Sequence, residues 1–252
     1  MLRVLTYNLY LGGADRLEAI YTVLAHAQAE VIALTEADDP EVVATLAKRL
    51  EMEYIWEKGS GERHIATLSR FPILTWNIYK TPPLTQAVLE TKLDLATKNI
   101  SIYNVHLLPY LLLPFEVRRW QAMGKLLEVI QNRQPGPHLI LGDLNTIAPG
   151  DRVLQRNNPL RMRQVMALQL NLIFRLALPR LLKAGYVDCF RRLYPQADGF
   201  TWTPGNLTTR YDYILADAGM APALRACRVI DDIEAVHRAS DHLPLMAEFD
   251  LN

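Results

Sequence analysis

Half of the 252 residues are hydrophobic, which is enough for a sizeable core and excludes a disordered chain. The 27 basic and 27 acidic residues cancel, so no global field attracts a polyanion, although a local basic patch stays open. Two cysteines, Cys189 and Cys227, are too few for a disulfide framework and lack metal-ligand spacing, so we expect core thiols.

Strand-like runs and helical patterns follow one another along the chain. The predicted strands are 2–8, 31–36, 64–69, 87–95, 100–106, 139–143, 211–215 and 245–251, and the predicted helices are 15–28, 40–50 and 115–132. This mixture predicts a mixed sheet system with helices packed outside it. No linker, low-complexity tract or repeat interrupts the chain, which favours one domain.

The segment 161–178 has its own amphipathic pattern and predicts one helix that ends at Pro179. Its apolar face consists of Met166, Leu170, Ile173, Phe174 and Ala177. We expect this helix to cover the core, with a substrate-covering or lipid-touching element as the alternative. Arg175, Pro179 and Arg180 interrupt the apolar run, so no stretch reaches the roughly 20 residues that cross a bilayer. The N-terminus lacks a secretory-signal pattern, so we expect a cytoplasmic protein.

Polar side chains interrupt or end the buried strands repeatedly. They are Asn8, Glu36, His106, Asp143, Asn145, Asp212, Asp241 and His242. Any one of them has an ordinary explanation as a turn cap, a solvated acid or a core histidine. Asp143 and Asn145 are two residues apart, and strand alternation predicts that they point to the same side. Several acids buried together are costly unless a cation or hydrogen-bond partners neutralise them.

The ligand types indicate which cation this would be. Carboxylate and amide oxygens without thiolates suit Mg²⁺ or Mn²⁺. The histidines show no HExxH-type spacing, which disfavours zinc. Oxygen-rich metal chemistry of this kind most often serves phosphate esters.

Six blocks in order carry a resemblance to a known family. "TYN", "LTE", "NVHL", "GDLN", "YDYI" and "SDHLPL" resemble the endonuclease/exonuclease/phosphatase superfamily of metal-dependent phosphoesterases, and "HIATLSRFPI" at 64–73 is also similar to it. The resemblance implies a four-layer α/β/β/α sandwich, in which two packed mixed sheets are flanked by helices and the active site lies at one edge. It implies one domain over 1–252, with a helical insertion at about 151–183.

The resemblance also implies roles for the polar residues. Glu36 would be the principal metal ligand, and Asn8 and Asp241 would contribute directly or through water. Asp143 would take a proton from the attacking water, which Asn145 would orient together with a phosphate oxygen. His242, held in its tautomer by Asp212, and His106 would contact phosphate oxygens.

Several residues around these blocks are further candidates for substrate binding. Arg70 belongs to the Ser-Arg-x-Pro segment, and Tyr10 stands where one branch of the family has an acidic metal contact. Arg210 either pairs with a phosphate or with a nearby acid. Trp202 and the apolar segment 110–115 are expected in the core, with stacking or a hydrophobic wall as the alternatives.

Three functions remain open at this point. The main hypothesis is a divalent-metal-dependent phosphodiesterase that uses an activated water in line, with a phospholipid or small phosphoester as substrate and peripheral membrane contact. The alternative is an endo- or exonuclease on DNA or RNA, whose phosphates would meet a basic cluster made of Arg152, Arg156, Arg161 and Arg163. A non-catalytic binding protein on the same fold is the third.

Overall fold

In the computed structural model, which describes residues 1–84, 86–133 and 136–251, twelve strands form two six-stranded mixed sheets. Sheet one has the order β11-β12-β1-β2-β4-β3 and sheet two the order β5-β6-β7-β8-β10-β9. The strands are β1 Leu2–Asn8, β2 Val31–Thr35, β3 Glu53–Glu57, β4 Ile65–Ser69, β5 Ile73–Tyr79, β6 Ala87–Asp94, β7 Asn99–His106, β8 His138–Asp143, β9 Val187–Asp188, β10 Asp212–Ala216, β11 Leu224–Val229 and β12 Leu245–Phe249.

Helices cover the outer face of each sheet, which confirms the predicted four-layer sandwich. They are α1 Leu17–Ala27, α2 Pro40–Leu50, α3 Leu113–Arg133, α4 Leu160–Leu168, α5 Ala177–Lys183, α6 Cys189–Leu193 and α7 Val236–Ala239. Helices α1 and α2 pack on sheet one, and α3 and α5 pack on sheet two. Between the sheets, Val4 and Ala33 of sheet one meet Ile102 and Leu141 of sheet two in a third apolar cluster. Cys189 and Cys227 lie in this inner core as free thiols, as predicted.

The sheet registers bring the polar strand ends to one edge. Strands β1 and β2 are parallel with Asn8 opposite Thr35, so Asn8 and Glu36 leave the sheet side by side. Strands β7 and β8 are also parallel, and their last residues His106 and Asp143 are opposite each other. Asp212 begins the antiparallel strand β10 opposite Asp143. It is therefore the start of a strand, and not its end, that supplies Asp212 to this edge.

The predicted single helix over 161–178 is wrong. Helix α4 ends at Leu168, and Leu170 and Asn171 adopt left-handed backbone conformations with φ of 57° and 56° before α5 begins at Ala177. Leu170, predicted on the buried face, is 81% exposed. Pro179 lies in the first turn of α5, where a missing N–H breaks no helical hydrogen bond. No helix among the described residues is long and apolar enough to cross a membrane.

Candidate active site

Asp143, the last residue of β8, is buried at the centre of the cluster of polar side chains that the strands bring to this sheet edge. Its Oδ2 accepts a hydrogen bond from Asn8 Nδ2 at 3.0 Å, and its Oδ1 accepts one from the Asn145 backbone N–H at 3.0 Å. The Nε2 atoms of His106 and His242 both lie 3.8 Å from Asp143 Oδ2. The carboxylate is thus held by two donors and flanked by two imidazoles.

His242 forms a buried hydrogen-bonded pair with Asp212. His242 Nδ1 lies 2.8 Å from Asp212 Oδ2. The backbone also fixes this histidine, because its N–H donates to Ser240 Oγ at 3.1 Å and Ser240 Oγ donates to the Asn8 carbonyl at 2.6 Å. With Nδ1 engaged, Nε2 is the nitrogen that His242 directs toward Asp143.

The electrostatics separate the roles of the buried groups. Burial alone would lower the pKa of His242, but the Asp212 carboxylate, through its charge and its hydrogen bond, together with the charges of Asp143 and Asp241, raises the pKa to about 10. Burial raises the pKa of Asp143 to about 7, although His242 and the Asn8 hydrogen bond act in the opposite direction. Burial lowers the pKa of His106 to about 4. At neutral pH the site thus contains a cationic His242, a neutral His106 and an Asp143 carboxyl close to its midpoint.

Glu36 and Asp241 bring carboxylates to the same cleft. Glu36 Oε2 accepts the Leu11 N–H at 3.1 Å, and Asn8 Nδ2 lies 3.4 Å from Glu36 Oε1. Asp241 Oδ2 accepts a 3.3 Å hydrogen bond from Trp202 Nε1, whereas its buried Oδ1 has no hydrogen-bond partner in the described residues. Hard oxygen donors with an unpaired buried atom fit a divalent cation.

The amide of Asn8 is oriented differently from a metal ligand. Its nitrogen faces Asp143 and Glu36, and its oxygen accepts the Tyr10 N–H at 2.9 Å. In this geometry Asn8 links the two carboxylates rather than presenting oxygen to a cation. Tyr10 itself has a φ of 52° and is 43% exposed, and the Arg16 guanidinium lies over its ring.

A small group near Asp143 also has donor atoms at metal-binding spacing. One ligand atom each from Asp143, Asp212 and His242 lies within 4.8 Å of the others. Because His242 Nδ1 is already hydrogen-bonded to Asp212, we interpret this group as a hydrogen-bonded pair beside Asp143 rather than as the cation site.

Sequence reasoning missed Arg63, which lies beside the acidic side of the cluster. Arg63 Nη1 is 2.8 Å from Asp38 Oδ2, and its Nε is 3.5 Å from Glu36 Oε2. Burial would raise the pKa of Glu36, but His106, the Leu11 N–H and Arg63 together hold it below its ordinary value. Arg63 lies in a loop before β4, where nothing in the strand pattern indicated a functional residue.

A cleft of about 170 Å³ opens over the cluster. Its polar floor includes Glu36, Asp143, Asn145, Asp241 and His242, and its apolar wall is made by Pro109, Tyr110, Met162, Trp202 and Tyr211. Trp202 and Tyr110 therefore face the cleft rather than lying only in the core. The apolar segment 110–115 contributes to both the cleft wall and the core, because Leu111 packs with the buried side chains of Ile147 and Met166.

Two buried charged residues of α3 hold the loops around this cleft. Arg119 Nη1 donates to the carbonyls of Leu108 and Tyr110, at 2.7 Å and 2.8 Å. Glu116 accepts from Thr146 Oγ1 at 2.8 Å and from the backbone N–H of Ala177 at 2.8 Å. The 108–110 loop, the loop after β8 and the start of α5 are therefore tied to one ion pair.

Asn145 shares the cleft with Asp143, but for a different reason from the predicted strand alternation. Strand β8 ends at Asp143, and Asn145 adopts a left-handed conformation with a φ of 48°. Its Nδ2 donates to the Leu107 carbonyl at 3.0 Å. The tight turn, and not a two-residue strand period, brings the two side chains together.

Arg70, a predicted substrate-binding residue, lies outside the site. Strand β4 is antiparallel to β2, with Ser69 opposite Val31 and Ile65 opposite Thr35. Arg70 therefore lies at the start of β2, whereas Glu36 follows its end. The five-residue length of β2 separates the two, which is roughly 13 Å at about 3.3 Å per residue.

Arg210, the other predicted substrate-binding arginine, is paired with acids and does not line the cleft. Its side chain is fully buried, and its Nη1 and Nη2 lie 2.9 Å and 2.6 Å from the two carboxylate oxygens of Asp188. Its Nε donates to Asp151 Oδ2 at 3.0 Å. Of the two options left open by the sequence, the structure supports pairing with acids.

We expect the substitution Arg210→Met to destabilise the protein by about 3–5 kcal/mol, because it leaves the buried Asp188 without its cationic partner. Urea denaturation followed by circular dichroism measures this loss, and Arg152→Met, which removes the exposed ion pair with Asp198, is the matched control with a cost below about 1 kcal/mol. An Arg210→Met protein that keeps its stability but loses substrate affinity would restore the substrate-binding role.

Comparisons with known proteins identify the family of this chain. The model of the endonuclease/exonuclease/phosphatase family matches residues 5–242. Exodeoxyribonuclease III of Haemophilus influenzae is 31% identical over 129 residues, which are 47% of this chain and 48% of that protein. The chain thus spans about half the length of this curated relative.

Solved structures share the fold over the whole chain. A 3′ phosphatase from Neisseria, bound to a product DNA hairpin, has a TM-score of 0.76 and 20% identity over 99% of this chain and 100% of that chain. An AP endonuclease from Archaeoglobus fulgidus has a TM-score of 0.76 and 19% identity, with full coverage of both chains. At these identities the likeness is one of fold.

Proposed function

Since this chain belongs to the endonuclease/exonuclease/phosphatase family, we propose that it is a divalent-metal-dependent phosphoesterase that hydrolyses phosphodiester bonds in DNA. The observation that carries the chemistry is the position of the Asp143 carboxylate, 3.8 Å from the Nε2 of a His242 that is paired with Asp212. DNA is the proposed substrate because the relatives named above include an exodeoxyribonuclease and a phosphatase bound to DNA.

This proposal departs from the main hypothesis drawn from the sequence. A phospholipid or small phosphoester substrate and peripheral membrane contact find no support among the relatives, and the nuclease alternative fits them better. The balanced net charge does not conflict with this change, because a local basic surface is sufficient for phosphate binding.

Asp143 is the proposed general base. Its pKa of about 7 lets it accept a proton from water near neutral pH, and the hydrogen bonds from Asn8 and Asn145 hold it in one orientation. The attacking water would lie between this carboxylate and the phosphorus atom, on the side opposite the leaving oxygen. Asn145 would fix the position of that water or of a phosphate oxygen.

The Asp212–His242 pair is proposed to bind the phosphate. A cationic His242 donates from Nε2 to a phosphoryl oxygen, and Asp212 keeps the ring oriented and charged. This donor offsets the negative charge on the phosphoryl oxygens as the bond to the leaving group breaks. His106 is neutral and offers a second imidazole beside Asp143.

Glu36 and Asp241 are the proposed cation ligands, with Asn8 linking Glu36 to the base. When bound there, Mg²⁺ or Mn²⁺ would supply positive charge against the phosphate oxygens. The unpaired Oδ1 of Asp241 and the carboxylate of Glu36 in the same cleft support this assignment.

We expect Glu36→Gln to weaken Mg²⁺ binding by at least about tenfold, since even the loss of a residue that only orients a metal ligand weakens affinity by about 10–100-fold. Isothermal titration of metal into the metal-free protein measures the change directly, without reference to turnover. Glu41→Gln, an exposed carboxylate in the first turn of α2, is the matched control and should leave the affinity unchanged. Equal affinities for the wild-type and Glu36→Gln proteins would exclude Glu36 as the principal ligand.

A substrate panel tests the function as a whole. Purified protein is assayed with Mg²⁺ or Mn²⁺ against duplex DNA with nicked, recessed, abasic and 3′-phosphorylated ends, against RNA, and against phospholipid vesicles. Metal-dependent turnover of at least one DNA substrate, lost with chelator, is the expected result. Turnover of phospholipid alone, or none on any DNA, would contradict the proposal.

A further inference from the structure

The segment between Asp151 and Asp188 is basic and contains no acidic residue. Its seven basic residues are Arg152, Arg156, Arg161, Arg163, Arg175, Arg180 and Lys183. Since the whole chain has equal numbers of acidic and basic residues, the remaining chain is net acidic. The segment that contains α4 and α5 therefore has a net positive charge, which the net negative charge of the remaining chain balances.

Helix α4 separates the catalytic cleft from a second groove. Met162 lines the cleft, whereas Arg163 and Gln164, the next residues, line a groove of about 460 Å³ on the other side of the helix. Arg156 lies in the same groove, together with Gln155 and Asn171. No acidic residue is among the described residues that line it.

Among the described residues, the two arginines of this groove have free guanidinium groups, as does Arg161, which does not line the groove, whereas several other basic side chains of the segment are engaged. Arg152 is paired with Asp198 at 3.0 Å, and Arg180 lies over the Trp120 ring. Within the described part of the chain, the side chains of Arg156 and Arg163 have no ion-pair or hydrogen-bond partner. Both side chains are exposed to solvent.

The donor set of the groove suits a phosphodiester backbone. A guanidinium matches the geometry of phosphate oxygens, and the neighbouring amides can bond to sugar or base atoms as donors or acceptors. The groove and the cleft lie on opposite sides of one helix, so a ligand in both must extend across α4. A polynucleotide meets that requirement, and a single small phosphoester does not.

We propose that this groove binds the nucleic-acid backbone outside the cleavage site, with Arg156 and Arg163 as its phosphate contacts. The inference rests on the proposed nuclease function and deepens it, because it assigns part of the affinity to a surface separate from the chemistry. The substrate strand or its partner strand passes from the cleft over α4 into the groove. Recognition there is of the backbone, so it is independent of base sequence.

The exposed leucines at the end of α4 indicate a competing ligand for this surface, namely a lipid membrane. Leu168 and Leu170 are 85% and 81% exposed, and leucines beside arginines also occur on membrane-binding surfaces. The amides of Gln155, Gln164 and Asn171 favour nucleic acid, because they offer hydrogen bonds that a lipid interface does not need. Vesicle binding is therefore an outcome that the test must distinguish.

Salt dependence of DNA binding tests the groove without turnover. A fluorescent 20-base-pair duplex is titrated with metal-free protein in chelator at several NaCl concentrations. Each lost phosphate contact lowers the slope of log K against log[salt] by about 0.9 on duplex DNA, so R156Q/R163Q should lower it by about 1.8. The charge-matched control R70Q/R225Q removes two arginines near the opposite edge of sheet one and should leave the slope unchanged.

Turnover of a short substrate, which does not reach the groove, distinguishes the groove assignment from the proposed nuclease function. We expect the kcat of R156Q/R163Q on a dinucleotide or on bis(p-nitrophenyl) phosphate to equal that of the wild type. An unchanged salt slope in a protein that cleaves DNA would overturn the groove assignment and leave the nuclease function standing. A wild-type protein that cleaves no DNA would instead overturn the proposed function. Loss of binding to phosphatidylserine vesicles with an unchanged DNA slope would assign the groove to membranes and overturn the inference.

Discussion

The substitution Asp143→Asn should lower kcat for DNA cleavage by roughly 10²–10⁴, the usual effect of removing a general base. Asparagine has nearly the same shape, and its oxygen can still accept from Asn8 or from the Asn145 N–H, so the local fold should be kept. Because the change removes only the proton acceptor, KM should change far less than kcat. Single-turnover cleavage of a labelled duplex at saturating Mg²⁺ measures the rate of the chemical step.

The control for this experiment is Arg70→Gln, whose side chain is exposed at the other edge of sheet one. Its rate and its thermal stability should match the wild type. If Asp143→Asn retains more than about a tenth of the wild-type rate, the proton acceptor is another group and the roles assigned around Asp143 must be redrawn.

The second large effect is expected at the Asp212–His242 pair. His242→Ala should lower kcat by roughly 10²–10⁴, because it removes the donor that faces the phosphoryl oxygen. Asp212 acts through His242 across their 2.8 Å contact, so Asp212→Asn should add little when His242 is already absent. A double-mutant cycle of the two substitutions, read as kcat, measures this dependence.

Non-additivity in that cycle distinguishes a positioning residue from an independent one. The double variant should be about as slow as His242→Ala alone, as expected for residues that act as a unit. If the two losses multiply, Asp212 has a separate role, for which it offers its buried Oδ1, an atom without a hydrogen-bond partner among the described residues.

The order of elements and the polar strand ends could be predicted from the sequence because both rest on local patterns. The buried strand at 139–143, for example, is an apolar run in the sequence. Asp143 and Glu36 reach the same sheet edge because β7 pairs with β8, and β1 with β2, in parallel. Four strands were missed, and they are the edge strands of the two sheets: β3, β5, β9 and β11. Strands β3, β5 and β11 have largely exposed or half-buried side chains without a clear apolar face, and β9 is only two residues long.

The helix over 161–178 failed for a physical reason that periodicity cannot detect. Gln169 Nε2 donates to the carbonyls of Leu111 and Leu172, both at 2.8 Å, which fixes the turn after α4 through a contact 58 residues away. Asn171 tolerates the left-handed conformation better than most residues. A helical pattern was present, but tertiary hydrogen bonds and a turn-forming residue ended the helix.

The same contrast between local sequence patterns and long-range contacts explains the errors at individual site residues. Arg210 lies next to the "YDYI" block, yet its partner Asp188 is 22 residues away and only folding brings them together. Arg63 reaches Glu36 from a loop 27 positions later, with no strand end to mark it. Short-range patterns identified the residues at the sheet edge, whereas the pairing of arginines with acids required the structure.

Anomalous diffraction from crystals soaked with Mn²⁺ and a mononucleotide product tests most directly the claim that the cation binds at Glu36 and Asp241 rather than at the group formed by Asp143, Asp212 and His242. The predicted result is one Mn²⁺ peak about 2.1 Å from a Glu36 carboxylate oxygen, with the product phosphate accepting from His242 Nε2. A peak coordinated by Asp143, Asp212 and His242 instead, with no ion at Glu36, would contradict it.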